Sequence, residues 1–145
     1  MLFNCRHPNY AGDVGLGINP ELKTAIATAD LVILMGGRFS EVTSQNYQLL
    51  GVQGASQKLV HIHASAEELG RVYRADLAIH ASPMTLAEGL SKLTPILAVA
   101  THRLDWVSQC RNNYQSWSSL PTNTYSGSVQ MPLIMAQLAS TLPAP

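Results

Sequence analysis

The sequence predicts an α/β fold in three layers, a parallel β-sheet with helices on both faces. Three observations predict it. Asp30 to Met35 reads DLVILM, a short β-branched and aliphatic run that stops at Gly36-Gly37, and this is the pattern of a buried strand. A helix signal stands directly before that run. The same strand and helix signals then alternate downstream, which is how parallel sheets are built.

In chain order, the opening MLFNCRHPNYAGD carries turn residues and no strand or helix period. Asn19 can cap a helix that has Pro20 at its first position and Glu21 in its first turn. Leu22, Ala25, Ile26 and Ala29 follow the spacing i, i+3, i+4, i+7. Lys58 to His63 (KLVHIH) reads as a second strand, and Ser65 with Glu68 forms an S-x-x-E capping box that predicts a helix from Ser65. Leu77 to His80 is a third, shorter strand. Ser82-Pro83 opens another helix with Leu86, Leu90 and Leu93 along one face. Leu104, Val107, Cys110 or Arg111, Tyr114 and Trp117 predict an amphipathic helix over Thr101 to Trp117. Ser118 to Ser128 is rich in Ser, Thr, Asn and Pro and reads as a linker, Gly127-Ser128-Val129 reads as a helix start, and a last helix is expected over Pro132 to Leu142. There is no internal repeat and no low-complexity tract. Three strands make a small sheet with little protection for its edges, which suggests a piece of something longer.

Composition limits the function classes. Among 145 residues, 9 Lys plus Arg balance 9 Asp plus Glu, and charged residues are only 12 %, about half the usual ~25 %. Hydrophobic residues reach 46 %. Such a chain is expected to show broad apolar surface to neighbouring domains or to further copies in a homo-oligomer. With zero formal charge and no Lys/Arg run, nucleic acid and anionic membrane surfaces are excluded as partners. No apolar run approaches the ~20 residues of a membrane span, and Met1 to Tyr10 does not have the pattern of a signal peptide, so the expected location is the cytoplasm. Cys5 and Cys110 form no disulfide framework and no CxxC, and Cys110 reads as a packing residue.

Several stretches could carry chemistry. Gly36, Gly37, Arg38, Phe39, Ser40 and Glu41 follow the strongest strand, where parallel sheets place their ligand crevice. Glycines there let backbone approach a phosphate or ring, and Arg38 offers a forked donor to an anion. The plainer reading is a tight turn whose Arg pairs with a carboxylate. Gly12, Gly15 and Gly17 lie just before a helix N-terminus, a place that favours anions, although a flexible turn explains them as well. No strand pattern precedes them, Pro20 takes the place of the third glycine of GxGxxG, and no P-loop is present. His61 and His63 share one strand face, but no metal-ligand cluster of recognised spacing stands near them. G-x-S-x-G is missing, and Glu67-Glu68 suit the first turn of a helix. These residues assemble no nucleophile, base and oxyanion site, so no catalytic or metal residue is assigned.

Taken together, HPNYAGDVGLGINPELKTAIATADLVILMGGRFSEVTS, KLVHIHASAEELGRVYRADLAI and SGSVQMPLIMAQLASTLP resemble the central domain of thiamine-diphosphate-dependent enzymes of the acetolactate synthase-like group. The motifs are Asn19-Pro20-Glu21-Leu22, Ala29-Asp30-Leu31, Gly36-Gly37-Arg38-Phe39 and Glu68-Leu69-Gly70-Arg71, in that order. The resemblance implies a Rossmann-like, DHS-like NAD/FAD-binding fold that lacks its N-terminal strands. It implies a central domain over 1–117, a linker over 118–128 and the opening of a diphosphate-binding domain over 129–145.

It also implies a parent enzyme that makes or breaks a carbon–carbon bond beside a 2-keto acid carbonyl, using thiamine diphosphate and Mg²⁺. In that group the activating glutamate and the GDG…N motif belong to other domains. Gly12-Asp13-Val14 with Asn19 mimics the motif only superficially, so no catalysis is expected from this chain alone. Some members of the group bind FAD through this domain. By position, Gly15, Gly36, Gly37, Arg38 and Ser40 match those contacts, whereas His63 and Ala81 stand where FAD-binding relatives often carry carboxylates. The alternative is a free-standing module that binds FAD, NAD or ADP.

Overall fold

The computed structural model describes residues 3–50, 57–95, 98–120 and 126–142. Its elements run α1 (Pro20–Thr28), β1 (Leu31–Met35), β2 (Lys58–His63), a short 3₁₀ turn (Ala66–Glu68), β3 (Leu77–His80), α2 (Pro83–Ser91), α3 (Thr101–Trp117) and α4 (Met131–Thr141). The three strands form a parallel sheet in the order β1-β2-β3, flanked by helices.

Local chemistry sets the ends of these elements. Asn19 Oδ1 accepts the Glu21 backbone N–H at 3.0 Å, with Pro20 following as the first helical residue. At the other end of α1, the buried Gln57 donates from Nε2 to the carbonyls of Ile26 at 3.2 Å and Ala27 at 2.8 Å. Those acceptors would otherwise be left over at a helix C-terminus. Ser82 caps α2 through the Thr85 N–H. The capping box expected at Ser65 does not form. Only the 3₁₀ turn follows it, Ser65 Oγ donates to Glu67 Oε2 at 2.8 Å, and Glu68 is drawn away by arginines. The last helix starts at Met131, after a bend at Gly127, rather than at Gly127-Ser128-Val129.

Register fixes the two sheet faces. Val32 and Leu34 share one face with Leu59 and His61, while Leu31, Ile33 and Met35 share the other with Val60, Ile62, Leu77 and Ile79. In a parallel sheet whose strands follow one another in sequence order, right-handed crossovers lie on the same face. The core agrees with this. Leu50 and Phe39 from the first crossover, and Val72, Tyr73 and Ala75 from the second, gather on Val32, Leu34 and Leu59. The second face receives no crossover, so Leu31 stays 46 % exposed, Ile33 57 % and Leu77 53 %, although Ile62 is buried. The expectation that Asp30 to Met35 is a buried strand is therefore corrected: β1 is an edge strand covered on one side.

Helix α3 packs beside α1 and is tied to it by Asn19 Nδ2, which donates to the Asn113 carbonyl at 3.3 Å. Arg111 Nη1 donates to the carbonyls of Cys5 and Tyr10, each at 3.0 Å, and its guanidinium lies 5.2 Å from the Tyr114 ring centroid. Tyr10 meets Tyr114 edge-on at 4.9 Å. The loop-like opening is thereby fastened to a helix a hundred residues further along. Cys110 is half-buried on α3, and burial pushes its thiol pKa up, in keeping with a packing role. Leu90, Leu93, Leu104 and Trp117 remain exposed, so the apolar stripes expected of α2 and α3 are only partly covered.

Asp76 joins β2 to the start of β3. Its Oδ2 accepts the Leu59 N–H at 2.9 Å and its Oδ1 takes the Lys58 ammonium at 3.0 Å. The Leu59 N–H, and then Lys58, hold the carboxyl below its ordinary range. A lowered folded-state pKa adds stability above the unfolded carboxylate pKa, and that stability is lost as pH falls through the folded value. In urea unfolding, Asp76→Ala is expected to have a lower midpoint than wild type at pH 6. The gap should close as pH drops below about 4. A gap that stays constant down to pH 2 would refute the assignment.

Candidate functional site

The crevice lies at the C-terminal ends of β1 and β2, the usual ligand position in a parallel sheet. β1 delivers Gly36 with φ +70°, and its N–H donates to the Ile62 carbonyl at 2.9 Å. Gly37 is held next: its carbonyl lies 3.1 Å from Nε2 of the buried His61. A carbonyl can only accept, so the geometry puts a proton on Nε2. His61 is thus a positioning group for the 36–38 loop. His63 is satisfied locally, with Nδ1 accepting the Ser65 N–H at 3.0 Å.

Arg38 then reaches across to the turn after β2. Its Nε lies 3.4 Å from Glu68 Oε1, and Arg71 Nη1 donates to the same oxygen at 2.9 Å. The two motifs Gly36-Gly37-Arg38-Phe39 and Glu68-Leu69-Gly70-Arg71, distant in sequence, close on one another here. The plainer expectation for Arg38, a pair with a carboxylate, is what the structure shows. Phe39, at φ +50°, turns its ring inward against Tyr73 at 5.7 Å. The Ser40 carbonyl accepts from Ser44 Oγ at 2.8 Å and from the Ser44 N–H at 2.9 Å.

Arg38, Ser40, Tyr47, His61, Glu68 and Arg71, with Val72 and Tyr73, bound a cleft of about 190 Å³. Its wall is strained: Gln45, Asn46 and Tyr47 follow one another at φ +54°, +57° and +61°, in the left-handed region unusual for non-glycine residues. Tyr73 is buried beside Ser44, and burial raises its pKa against the opposing pull of the Ser44 hydroxyl. Sequence reasoning missed Tyr73, His61 and Glu68 as neighbours of Arg38. The signal available was the pair of motifs, each ending a strand or the turn after one.

Of the expected contacts, Arg38 and Ser40 line this crevice, Gly37 meets His61 through its carbonyl, and Gly36 lies in the turn before them. Gly15 does not line the cleft, and its N–H is taken by Asp13 Oδ1 at 3.1 Å. The donor set does not suit Mg²⁺ or a diphosphate anchor at residues 12–19 either, because Asp13 closes that turn and Asn19 caps α1. Among the described residues, no three His, Cys, Asp or Glu side chains come together as a metal site.

Residues 1–90 match the family described as thiamine pyrophosphate enzyme, central domain. The chain belongs to that family. The match takes in α1, all three strands and most of α2, so the parallel sheet is that of a thiamine pyrophosphate enzyme central domain. The parent enzyme type uses thiamine pyrophosphate, and a central domain implies other domains beside it. No curated protein matches the chain. Among the described residues, no helix is long and apolar enough to cross a membrane.

Proposed function

We propose that this chain serves as the middle, supporting domain of a 2-keto acid carboligase or decarboxylase of the acetolactate synthase-like group. It sets the spacing of the catalytic domains and contributes to a homo-oligomer in the cytoplasm. The supporting observation is the surface. Large apolar side chains stand exposed, Leu31, Ile33 and Leu77 on the open sheet face and Met131, Leu133 and Met135 on α4. Surface of that kind is expected to be covered by further protein.

The packing of α3 on α1 supports taking 1–117 as one unit, with 118–128 as a linker and 129–145 as the opening of the next domain. With no catalytic set on the chain, thiamine diphosphate and Mg²⁺ are held by other domains of the parent. The purified chain, given thiamine diphosphate, Mg²⁺ and pyruvate, is expected to consume no pyruvate and to scatter light as an oligomer. Measurable turnover, or a strictly monomeric and highly soluble species, would overturn this reading.

A second reading is favoured by the crevice itself, where Arg38 and Ser40 line an open cationic cleft and Gly36 and Gly37 form the turn that leads into it. Its volume, about 190 Å³, falls below the ~300–1,000 Å³ of sites that bury a whole ligand. It therefore suits the phosphate end of a nucleotide such as ADP or NAD better than a buried FAD.

A further inference from the structure

We propose that Glu68 is a built-in competitor in the crevice: it occupies the cationic edge an anion would use and penalises a doubly charged group more than a singly charged one. This rests on the second reading above, in which Arg38 faces a phosphate-bearing ligand. Glu68 Oε1 is shared by Arg71 Nη1 at 2.9 Å and Arg38 Nε at 3.4 Å. The Glu68 side chain is only 11 % exposed, while those of Arg38 and Arg71 are 67 % and 63 % exposed. The carboxylate is therefore sunk beneath two guanidinium groups whose remaining N–H donors face solvent.

The three side chains sum to a single positive charge. Repulsion from Glu68 grows in proportion to the charge of the anion, so in free energy it holds back a doubly charged phosphomonoester about twice as strongly as a singly charged phosphodiester. The longer of the two contacts, to Arg38, is the weaker one, so Arg38 is the group an incoming anion must win from Glu68.

AMP and cyclic 3′,5′-AMP test this, because they share adenosine and one phosphorus but differ by one negative charge near pH 7.5. With the full chain at low salt, wild type and variants are titrated with each nucleotide at equilibrium. Removing one charge about 5 Å from the phosphate, in water-like surroundings, is worth about 4-fold for a monoanion and about 15-fold for a dianion. Glu68→Gln should therefore tighten AMP about 15-fold and cyclic AMP about 4-fold, and the gain should shrink at high salt. Adding Arg38→Ala should abolish it. In NMR spectra, the Arg38 Nε–H resonance should move on the Glu68→Gln change alone. An equal gain for the two nucleotides, an unchanged or weaker AMP affinity in Glu68→Gln, or an unmoved Arg38 resonance would each overturn the proposal. If neither nucleotide binds any variant, the crevice reading itself fails and takes the competitor with it, even where the resonance shift shows the clamp to be real.

Discussion

Leu59→Ala is expected to lower the unfolding free energy of this chain by about 3 kcal/mol. Leu59 is 3 % exposed on the central strand, and it is where both crossovers meet the sheet through Leu50 and Tyr73. Truncation removes the transfer energy of the side chain and leaves a cavity that Tyr73 and the β2 backbone cannot easily close. The core is small, so one such loss is a large share of a stability that is commonly only about 5–15 kcal/mol. Leu77, on the neighbouring strand but 53 % exposed on the other face, gives the control: Leu77→Ala should cost under about 1 kcal/mol. Urea unfolding of both variants separates the cases. Equal losses at protein concentrations where the chain is monomeric would mean that the one-sided core is wrong.

The contrast between Leu59 and Leu77 also shows what the sequence could and could not disclose. Strand positions were legible, since KLVHIH and LAIH occupy the expected residues and α3 spans Thr101–Trp117 as its period indicates. The caps of α1 and α2 were legible because each is a contact between residues two or three apart. Burial was not legible from β1 alone. DLVILM is apolar at every position after the Asp, and an all-apolar run does not say whether one face or two will be covered. That depends on the strand order, which places both crossovers on one side. The capping box failed for a related reason: Glu68 had a local partner in prospect, but two arginines, one of them 30 positions away, offered it charge-assisted contacts. Gly36, Gly37, Arg38 and Ser40 could be placed by position after a strand, whereas His61, Glu68 and Tyr73 became neighbours only through the parallel register.

Gly36→Ala should be the most damaging single change in the crevice, lowering the unfolding free energy by about 3 kcal/mol. Gly36 has φ +70°, a conformation in which a side chain costs about 1–2 kcal/mol. An added Cβ would also lie 2.9 Å from Cγ of Pro83, the first residue of α2. A proline ring is fixed in place and cannot swing aside, so the helix start or the loop must shift. Gly17 isolates the first cost, because its φ is +72° but an added Cβ meets nothing within 4 Å. Gly17→Ala should therefore lose only about 1–2 kcal/mol. Pro83→Ala, introduced with Gly36→Ala, should recover part of the difference in a double-mutant cycle. The Gly36 N–H bonds the Ile62 carbonyl and the next carbonyl meets His61, so a shift here also displaces Arg38 from Glu68. Identical losses for the Gly36 and Gly17 variants, with no recovery from Pro83→Ala, would show that α2 does not press on this turn. The glycine would then be needed for its backbone angle alone.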